Sequence, residues 1–229
     1  MQPEIRLSNS ATQLESTQNK VLRNTYMMLS LTMIPTVIGA YIGMSMNFAF
    51  MAQHPIISML GMLAVMFGMF MGISANRNNA LGVALLLGVT FFFGLMLGPI
   101  LQAALHFSNG GQLVAMAAGG TGAIFFTLAT IATVTKKDFS FMGKFLFVGL
   151  VMLVLASLAN AFFHIPAASL AISAIAVMLF AGYLLYDLSR IVTGGETNYV
   201  MATLAVYLDI YNIFVNLLNL LMAFAGNRD

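Results

Sequence analysis

The chain has 229 residues, of which 60% are apolar and only 7% are charged, with a formal net charge of +2 and a mean hydropathy of +0.94. A soluble domain carries roughly 25% charged residues, so this composition excludes an ordinary soluble protein and indicates a surface that faces the lipid bilayer. The small charge argues against a nucleic-acid partner, and the absence of cysteine excludes disulfides, thiolate-bound metals and thiol catalysis.

The predicted elements are one polar segment followed by seven apolar helices. Residues 1–24 are poor in large apolar side chains, which predicts a flexible tail ahead of a transmembrane domain at residues 25–229. A membrane-spanning helix needs about 20 mainly apolar residues. Pro35 predicts a kink in the first helix, and Gly98-Pro99 predicts a break in the third. The predicted spans are residues 26–50, 56–74, 80–104, 113–135, 141–163, 167–192 and 202–224.

Basic residues are distributed unevenly between the predicted loops. Only Arg228 falls on the side opposite to the other basic residues. Because cytoplasmic loops carry the excess of lysine and arginine, the amino terminus is predicted to be cytoplasmic and the carboxyl terminus to lie outside. The residues assigned to the cytoplasmic side are Arg6, Lys20, Arg23, Arg77, Lys136, Lys137, Lys144 and Arg190.

Glycines recur at helix-packing spacing in three of the spans. They form the pairs Gly68 with Gly72 and Gly94 with Gly98, and a cluster at residues 119–122. Small residues allow membrane helices to approach closely, so these positions are predicted to be helix contacts without a chemical role.

Two acids, Asp187 and Asp209, lie inside the apolar sequence of the sixth and seventh spans, and a polar turn at residues 193–198 joins the spans into a hairpin. An acid within the bilayer is costly and marks a functional site by default. At about 1.5 Å per residue, the two lie within a turn or two of the same depth. The pair is therefore predicted to meet and to titrate as a unit that senses pH.

A lower pH favours a proton shared between the two carboxyl groups, whereas a higher pH leaves two negative charges that need a cation. Arg77 and Arg190 are the predicted latch residues, which means that either could supply this positive charge. The alternative is a hard metal ion such as Ca²⁺, bound by Asp187 and Asp209. An alternative is that Asp187 only forms an ion pair with Arg190 at the end of its helix.

The seventh span also carries a stripe of amides. Asn212, Asn216 and Asn219 follow Asp209 at spacings of three and four residues, which places all four polar groups on one face of a helix. Lipid cannot satisfy such groups, so the face is predicted to turn inward and line a polar site. A purely structural stripe that holds helices together is the alternative.

The motifs YLLYD at the end of the sixth span, YLDIYNIFVNLL in the seventh and LMLGPIL in the third resemble the Bax inhibitor family of membrane proteins. The resemblance covers essentially the whole chain. The segment KVLRNTYMMLSLT and the turn GGETNY are more specifically similar to the bacterial YccA branch of that family.

The resemblance implies six helices around a central seventh, in the bacterial inner membrane. It also implies that Asp187 and Asp209 sense pH and gate a Ca²⁺ leak, with Arg77 matching a basic latch residue of the second span. The YccA branch implies a non-enzymatic protein that binds and modulates the membrane-anchored ATP-dependent protease FtsH, with residues 1–24 as a handle for it.

Two alternatives to protease modulation remain open. The first is that the chain is primarily a pH-gated leak channel for Ca²⁺ or other cations. The second, more remote, is an intramembrane aspartyl protease, in which two aspartates activate water. The sequence before Asp209 lacks the Gly-x-Gly-Asp element of such proteases and no Pro-Ala-Leu element follows, so no catalytic residue and no cofactor is predicted.

Overall fold

A computed structural model describes residues 3–226, with side chains described from residue 17 onward except at positions 52, 55, 56 and 59. Within this part of the chain every regular element is helical, as the composition predicts. A short 3-10 turn at Ser140–Met142 precedes α7. The α-helices are α1 Pro3–Ser45, α2 Ala49–Gln53, α3 Pro55–Ala75, α4 Ala80–Met96, α5 Gly98–Leu105, α6 Gly110–Thr135, α7 Gly143–Phe163, α8 Pro166–Thr193 and α9 Tyr199–Gly226.

Six of the seven predicted spans are confirmed as helices long and apolar enough to cross a membrane. In the described residues these are Thr17–Ser45, Ala80–Leu105, Gly110–Thr135, Ser140–Phe163, Pro166–Thr193 and Tyr199–Gly226. The span predicted at residues 56–74 coincides with α3, Pro55–Ala75, in which the fully described stretch Leu60–Ala75 is apolar. A seventh span and the orientation of the termini stay predictions.

The proline positions have different consequences in the two helices that carry them. The predicted break in the third span is confirmed, because α4 ends at Met96 and α5 begins at Gly98, with Pro99 in the first turn of α5. Proline has no N–H and is tolerated in a first turn. Pro35 lies inside the continuous helix α1, and the kink there stays a prediction.

Helix α1 continues back through the predicted tail to Pro3, so residue 24 is not a break in secondary structure. Val21 is 8% exposed and belongs to the hydrophobic core. The packed body of the protein therefore begins before residue 25. The side chains of residues 1–16 lie outside the described part, and their flexibility stays a prediction.

The glycines at the contacts of α1 with α4 and α5 bring helix backbones close together. A Cβ atom added at Gly94 would approach the Thr36 carbonyl oxygen to 2.2 Å, and one at Gly98 would approach the Gly43 carbonyl oxygen to 2.5 Å. The predicted packing role of this pair is confirmed. For three other glycines the prediction is wrong, because nothing in the described structure lies within 4 Å of the added Cβ atom: Gly68, Gly119 and Gly122.

Helix α9 occupies the centre of the bundle, where it packs against α1, α3, α4, α5, α6 and α8. Helix α7 differs, since in the described part it packs only against α8 and the 3-10 turn. The arrangement expected from the resemblance, with the last helix surrounded by the others, therefore holds for every long helix except α7.

A buried hydrogen-bond network fixes how α9 is rotated about its axis. Tyr207 is 2% exposed. Its hydroxyl lies 2.9 Å from the Thr36 hydroxyl of α1 and donates to the Thr90 carbonyl of α4 at 3.3 Å. Two residues along a helix turn the side chain by roughly 200°. Holding Tyr207 against α1 and α4 therefore turns Asp209 toward the opposite side, where α8 lies.

Candidate functional site

The two predicted acids meet between α8 and α9. The carboxyl groups of Asp187 and Asp209 lie within hydrogen-bonding reach of each other. Asp209 is only 4% exposed, and its Oδ2 atom is buried without a hydrogen-bond partner in the described structure. A buried acceptor without a partner is costly, so this atom is poised to receive a proton or a cation.

Tyr183 was not singled out by the sequence analysis, and it lies beside the acid pair. Its phenol is close enough to interact electrostatically with both Asp187 and Asp209. The spacing contains the signal, because residues four apart on a helix share a face and Tyr183 precedes Asp187 by four. None of the hydrogen bonds of the described residues joins this phenol to either carboxyl group.

Arg190 makes its contacts with the turn that follows α8 and not with the acid pair. Its guanidinium donates to the Gly195 carbonyl at 3.2 Å and lies 3.9 Å from the Glu196 carboxylate. It also lies 5.6 Å from the centre of the Tyr186 ring, a cation–π distance. The described residues contain no ion pair between Arg190 and Asp187, so the helix-end ion pair considered above is wrong. Arg190 still lies near enough to Asp187 to act on it electrostatically.

Arg77 lies exposed in the turn between α3 and α4, and its side chain forms no ion pair within the described part of the chain. Its backbone carbonyl accepts a hydrogen bond from the Asn198 amide at 3.0 Å, and the same amide donates to Asn78 at 2.9 Å. The turn that carries Arg77 is therefore attached to the turn that joins the two acid-bearing helices. The latch roles of Arg77 and Arg190 stay predictions.

The Asn198 side chain has two structural roles, a helix cap and a contact with the α3–α4 turn, and substitutions can separate them. Its Oδ1 atom accepts from the backbone N–H groups of Val200 and Met201 and so caps α9, while its amide nitrogen holds the α3–α4 turn. Asn198→Ala is expected to lower the free energy of unfolding by about 1 kcal/mol or more through loss of the cap. Thermal unfolding of the purified protein measures this change.

Asn198→Asp is the matched control, because a carboxylate keeps the cap but cannot donate to the Arg77 carbonyl. It is expected to retain most of the stability while protease cleavage at the α3–α4 turn increases. Equal loss of stability in both variants would contradict this division of roles.

The three asparagines of the predicted polar stripe divide between two environments. The amide nitrogens of Asn212 and Asn216 each donate at 2.8 Å to the carbonyl one turn earlier in α9, those of Leu208 and Asn212. A nitrogen held against its own helix turns the Oδ1 atom away from it. Asn216 and Asn219 line a cavity at the end of the bundle opposite the acid pair, and Asn212 does not.

The acid pair is too small a set of ligands to hold a metal ion alone. No group of three or more His, Asp or Glu side chains suited to a metal occurs among the described residues. Ca²⁺ takes six to eight oxygen ligands, so Asp187 and Asp209 would need water or amide oxygens to complete a site. The pair is better suited to hold a proton, or to contact a cation that keeps most of its water.

Comparison with known proteins identifies relatives along nearly the whole chain. The family described as "Inhibitor of apoptosis-promoting Bax1" matches residues 18–226. The "Modulator of FtsH protease YccA" of Escherichia coli is 39% identical over 216 residues, covering 93% of this chain and 94% of the relative. An "Uncharacterized membrane protein" of Vibrio cholerae is 39% identical over 203 residues, covering 89% of each.

A second Escherichia coli relative, equally similar, has the name "Inner membrane protein YccA". Together with the six apolar helices, these names identify a multi-pass protein of the bacterial inner membrane. The family and the names are those of a non-enzymatic membrane regulator, which argues against the intramembrane-protease alternative. The chain belongs to the Bax inhibitor family.

Proposed function

We propose that this chain binds and modulates the membrane-anchored ATP-dependent protease FtsH. The observation that carries the proposal is the 39% identity, over 93% of the chain, to a relative named as a modulator of that protease. The match covers 93% of this chain and 94% of the relative, which supports a common function.

The length of α1 supports a contact with the protease on the predicted cytoplasmic side. The helix begins at Pro3, whereas the apolar span predicted from the sequence begins at residue 26. At 1.5 Å per residue, the helical residues before that span cover roughly 35 Å. A segment of that length can reach a protein anchored in the same membrane.

Deleting residues 1–16 tests the contact. This truncation leaves Val21 and the rest of the buried part of α1 in place, so the fold is expected to persist. Turnover of the variant by FtsH is expected to slow severalfold in a pulse-chase experiment, because the protease loses its handle. Deleting residues 227–229 is the control and is expected to leave turnover unchanged. Equal turnover of the truncated and full chains would reject residues 1–16 as the handle.

A second function, a pH-sensitive leak of Ca²⁺ or another cation, is favoured by one observation. The Oδ2 atom of Asp209 is buried and unpartnered, and the carboxyl group of Asp187 lies within hydrogen-bonding reach. A proton shared by the two carboxyl groups would hold α8 against α9. Loss of that proton would leave two adjacent negative charges, which repel each other and attract a cation.

Protease modulation and the cation leak depend on different properties of the chain, so they can be tested separately. Modulation of the protease requires binding, and the leak requires the acid pair. Co-purification of FtsH with an Asp209→Asn variant, measured beside flux in protein-containing liposomes, therefore distinguishes them. Binding retained while flux is lost would assign the two functions to different parts of the chain.

A further inference from the structure

A groove runs between α1 and α6 on the outer surface of the bundle. The two helices do not pack against each other in the described structure, although both pack against α8 and α9. The groove has a volume of about 370 Å³, and its apolar wall includes Leu29, Phe125 and Phe126. Phe126 is 69% exposed. Because α1 and α6 are both long and apolar enough to cross a membrane, the groove faces the bilayer.

One hydroxyl group of this groove has no partner. Ser30, Thr130 and Thr133 each donate to a backbone carbonyl of their own helix, at 2.7–2.9 Å. The hydroxyl of Tyr26, which also lines the groove, is buried and has no hydrogen-bond partner in the described structure. Buried polar groups normally have a partner, and hydrocarbon chains cannot supply one. The groove therefore lacks one hydrogen-bond acceptor.

Basic residues lie next to one end of the groove. Arg23 precedes Tyr26 by three residues and Ser30 by seven, so the three share one face of α1. Arg23 is exposed, and its side chain forms no ion pair within the described part of the chain. Lys136 and Lys137 follow directly after the last residue of α6. Positive charge therefore stands where both helices leave the groove.

Two contacts place these ends of α1 and α6 on the same side of the bundle, at the carboxyl end of α8. A Cβ atom added at Gly194 would lie 2.7 Å from the side-chain nitrogen of Gln18, in α1. The Ser189 hydroxyl donates to the Lys137 carbonyl, just after α6, at 3.0 Å. This is the side that the distribution of basic residues predicts to be cytoplasmic.

The charges on this side of the groove are mostly positive. Residues 17–23 and 136–138 contain four basic side chains and one acid, Asp138. The Asp138 carboxylate accepts a hydrogen bond from the Ser140 N–H at 2.8 Å. Lysine and arginine clustered at a membrane surface attract anionic lipid headgroups, and their long side chains can extend to the level of the headgroups.

The order of groups along the groove matches that of a phospholipid. On α1 the order from the basic end is Arg23, the unpartnered hydroxyl of Tyr26 and then Leu29, and on α6 the lysines are followed by two threonines and then by Phe126 and Phe125. A phospholipid presents a phosphate, ester carbonyls and an acyl chain in the same order. A membrane helix is a poorer match, because its backbone carbonyls are already bonded within the helix.

We propose that this groove is a binding site for an anionic phospholipid of the leaflet on the predicted cytoplasmic side. On binding, the Tyr26 ring turns enough to donate its hydroxyl hydrogen to an ester carbonyl of the lipid. One acyl chain lies against Leu29 and Phe126, and the phosphate lies near Arg23 and Lys137. The site is separate from the acid pair and from the proposed protease contact of residues 1–16.

Thermal unfolding of the purified full-length chain in detergent, titrated with phosphatidylglycerol, tests the proposal. A ligand that binds only the folded state raises the folded-to-unfolded ratio by 1 + [L]/Kd, about elevenfold at ten times Kd. Saturable stabilisation by phosphatidylglycerol is therefore expected. Phosphatidylcholine with the same acyl chains has no net charge and is expected to bind at least about fivefold more weakly. Soluble glycerol phosphate is expected to have no saturable effect, because it has no acyl chain.

Equal stabilisation by the two lipids would overturn the proposal, since the basic residues would then select nothing. A saturable effect of glycerol phosphate would also overturn it, because the site would then bind free phosphate groups without using the groove.

Two matched pairs of substitutions locate the site. Tyr26→Phe removes only the hydroxyl group. It is expected to weaken phosphatidylglycerol binding about fivefold and to leave the lipid-free protein at least as stable, because an unpartnered buried group is lost. Tyr41→Phe, at an exposed position of the same helix, is its control and is expected to leave binding unchanged.

Arg23→Gln is expected to weaken phosphatidylglycerol binding about fivefold and to leave phosphatidylcholine binding unchanged. Its control is Lys144→Gln, which removes an exposed basic residue of α7, a helix that does not line the groove. Affinity unchanged in both Tyr26→Phe and Arg23→Gln, or lowered equally by the two controls, would refute the proposal.

Discussion

Asp209→Asn is expected to abolish the pH dependence of cation flux in liposomes that contain the purified chain. Flux through the native protein is expected to be low at acidic pH and to rise severalfold as the pH increases. An asparagine at this position cannot lose a proton, so the second negative charge never forms. The measurement is Ca²⁺ entry into liposomes across a pH series, with empty liposomes as the baseline.

The expected rise of cation flux with pH follows from the geometry of the acid pair. Two carboxyl groups within hydrogen-bonding reach are held together while they share a proton. When the proton leaves, the charges repel in a site that is almost closed to solvent, and α8 and α9 are pushed apart. Tyr183 lies near both groups.

Matched substitutions make this test specific. Asp187→Asn removes the other half of the pair and is expected to have the same effect as Asp209→Asn. Asp138→Asn changes an exposed acid in the loop before α7, where the Asp138 carboxylate accepts from the Ser140 N–H at 2.8 Å, and it is expected to leave the pH profile unchanged. A pH profile that persists in Asp209→Asn would remove the acid pair as the sensor. No flux above that of empty liposomes would reject the leak function.

The sequence was enough to predict that Asp187 and Asp209 lie close together, because the prediction depended only on two adjacent helices and the turn between them. Asp187 and Asp209 lie in two long apolar helices joined by a short polar turn, and such a hairpin brings side chains of similar depth together. The break at Gly98-Pro99 was predictable for the same reason, since proline acts within its own helix. Hydropathy likewise located six spans that the structure confirms.

Features that depend on contacts distant along the chain could not be predicted. The network of Thr36, Thr90 and Tyr207 joins three helices, and no periodicity within α9 reveals it. Arg190 was expected near Asp187 from a spacing of three residues, but the chain reverses at Gly194, where φ is +84°. That turn brings the Gly195 carbonyl and Glu196 back onto the guanidinium.

The glycines also show that spacing along the sequence does not predict contacts between distant helices. The spacing of Gly94 and Gly98 and the cluster at residues 119–122 gave identical predictions of helix packing. Only the first pair faces another helix backbone in the described structure. Spacing identifies a smooth helix face, but the neighbours of that face are decided by the packing of the whole bundle.

Gly94→Ala is accordingly expected to destabilise the protein strongly. The new Cβ atom would lie 2.2 Å from the carbonyl oxygen of Thr36, and a backbone atom cannot move aside as a side chain can. Helices α1 and α4 would have to separate along a contact that also includes Gly39 and Gly43. Overpacking a well-packed core typically costs about 1–3 kcal/mol, and a clash with backbone is expected at the upper end of that range.

Gly119→Ala is the control for this substitution. The change is chemically identical and also lies within a membrane helix, but nothing in the described structure lies within 4 Å of the new Cβ atom. Alanine is a better helix former than glycine by about 1 kcal/mol, so thermal unfolding is expected to show equal or higher stability. Because Tyr207 binds the Thr36 hydroxyl, the separation of α1 from α4 in Gly94→Ala should also disturb the orientation of Asp209. Comparable melting temperatures for the two variants would contradict the close approach of α1 and α4.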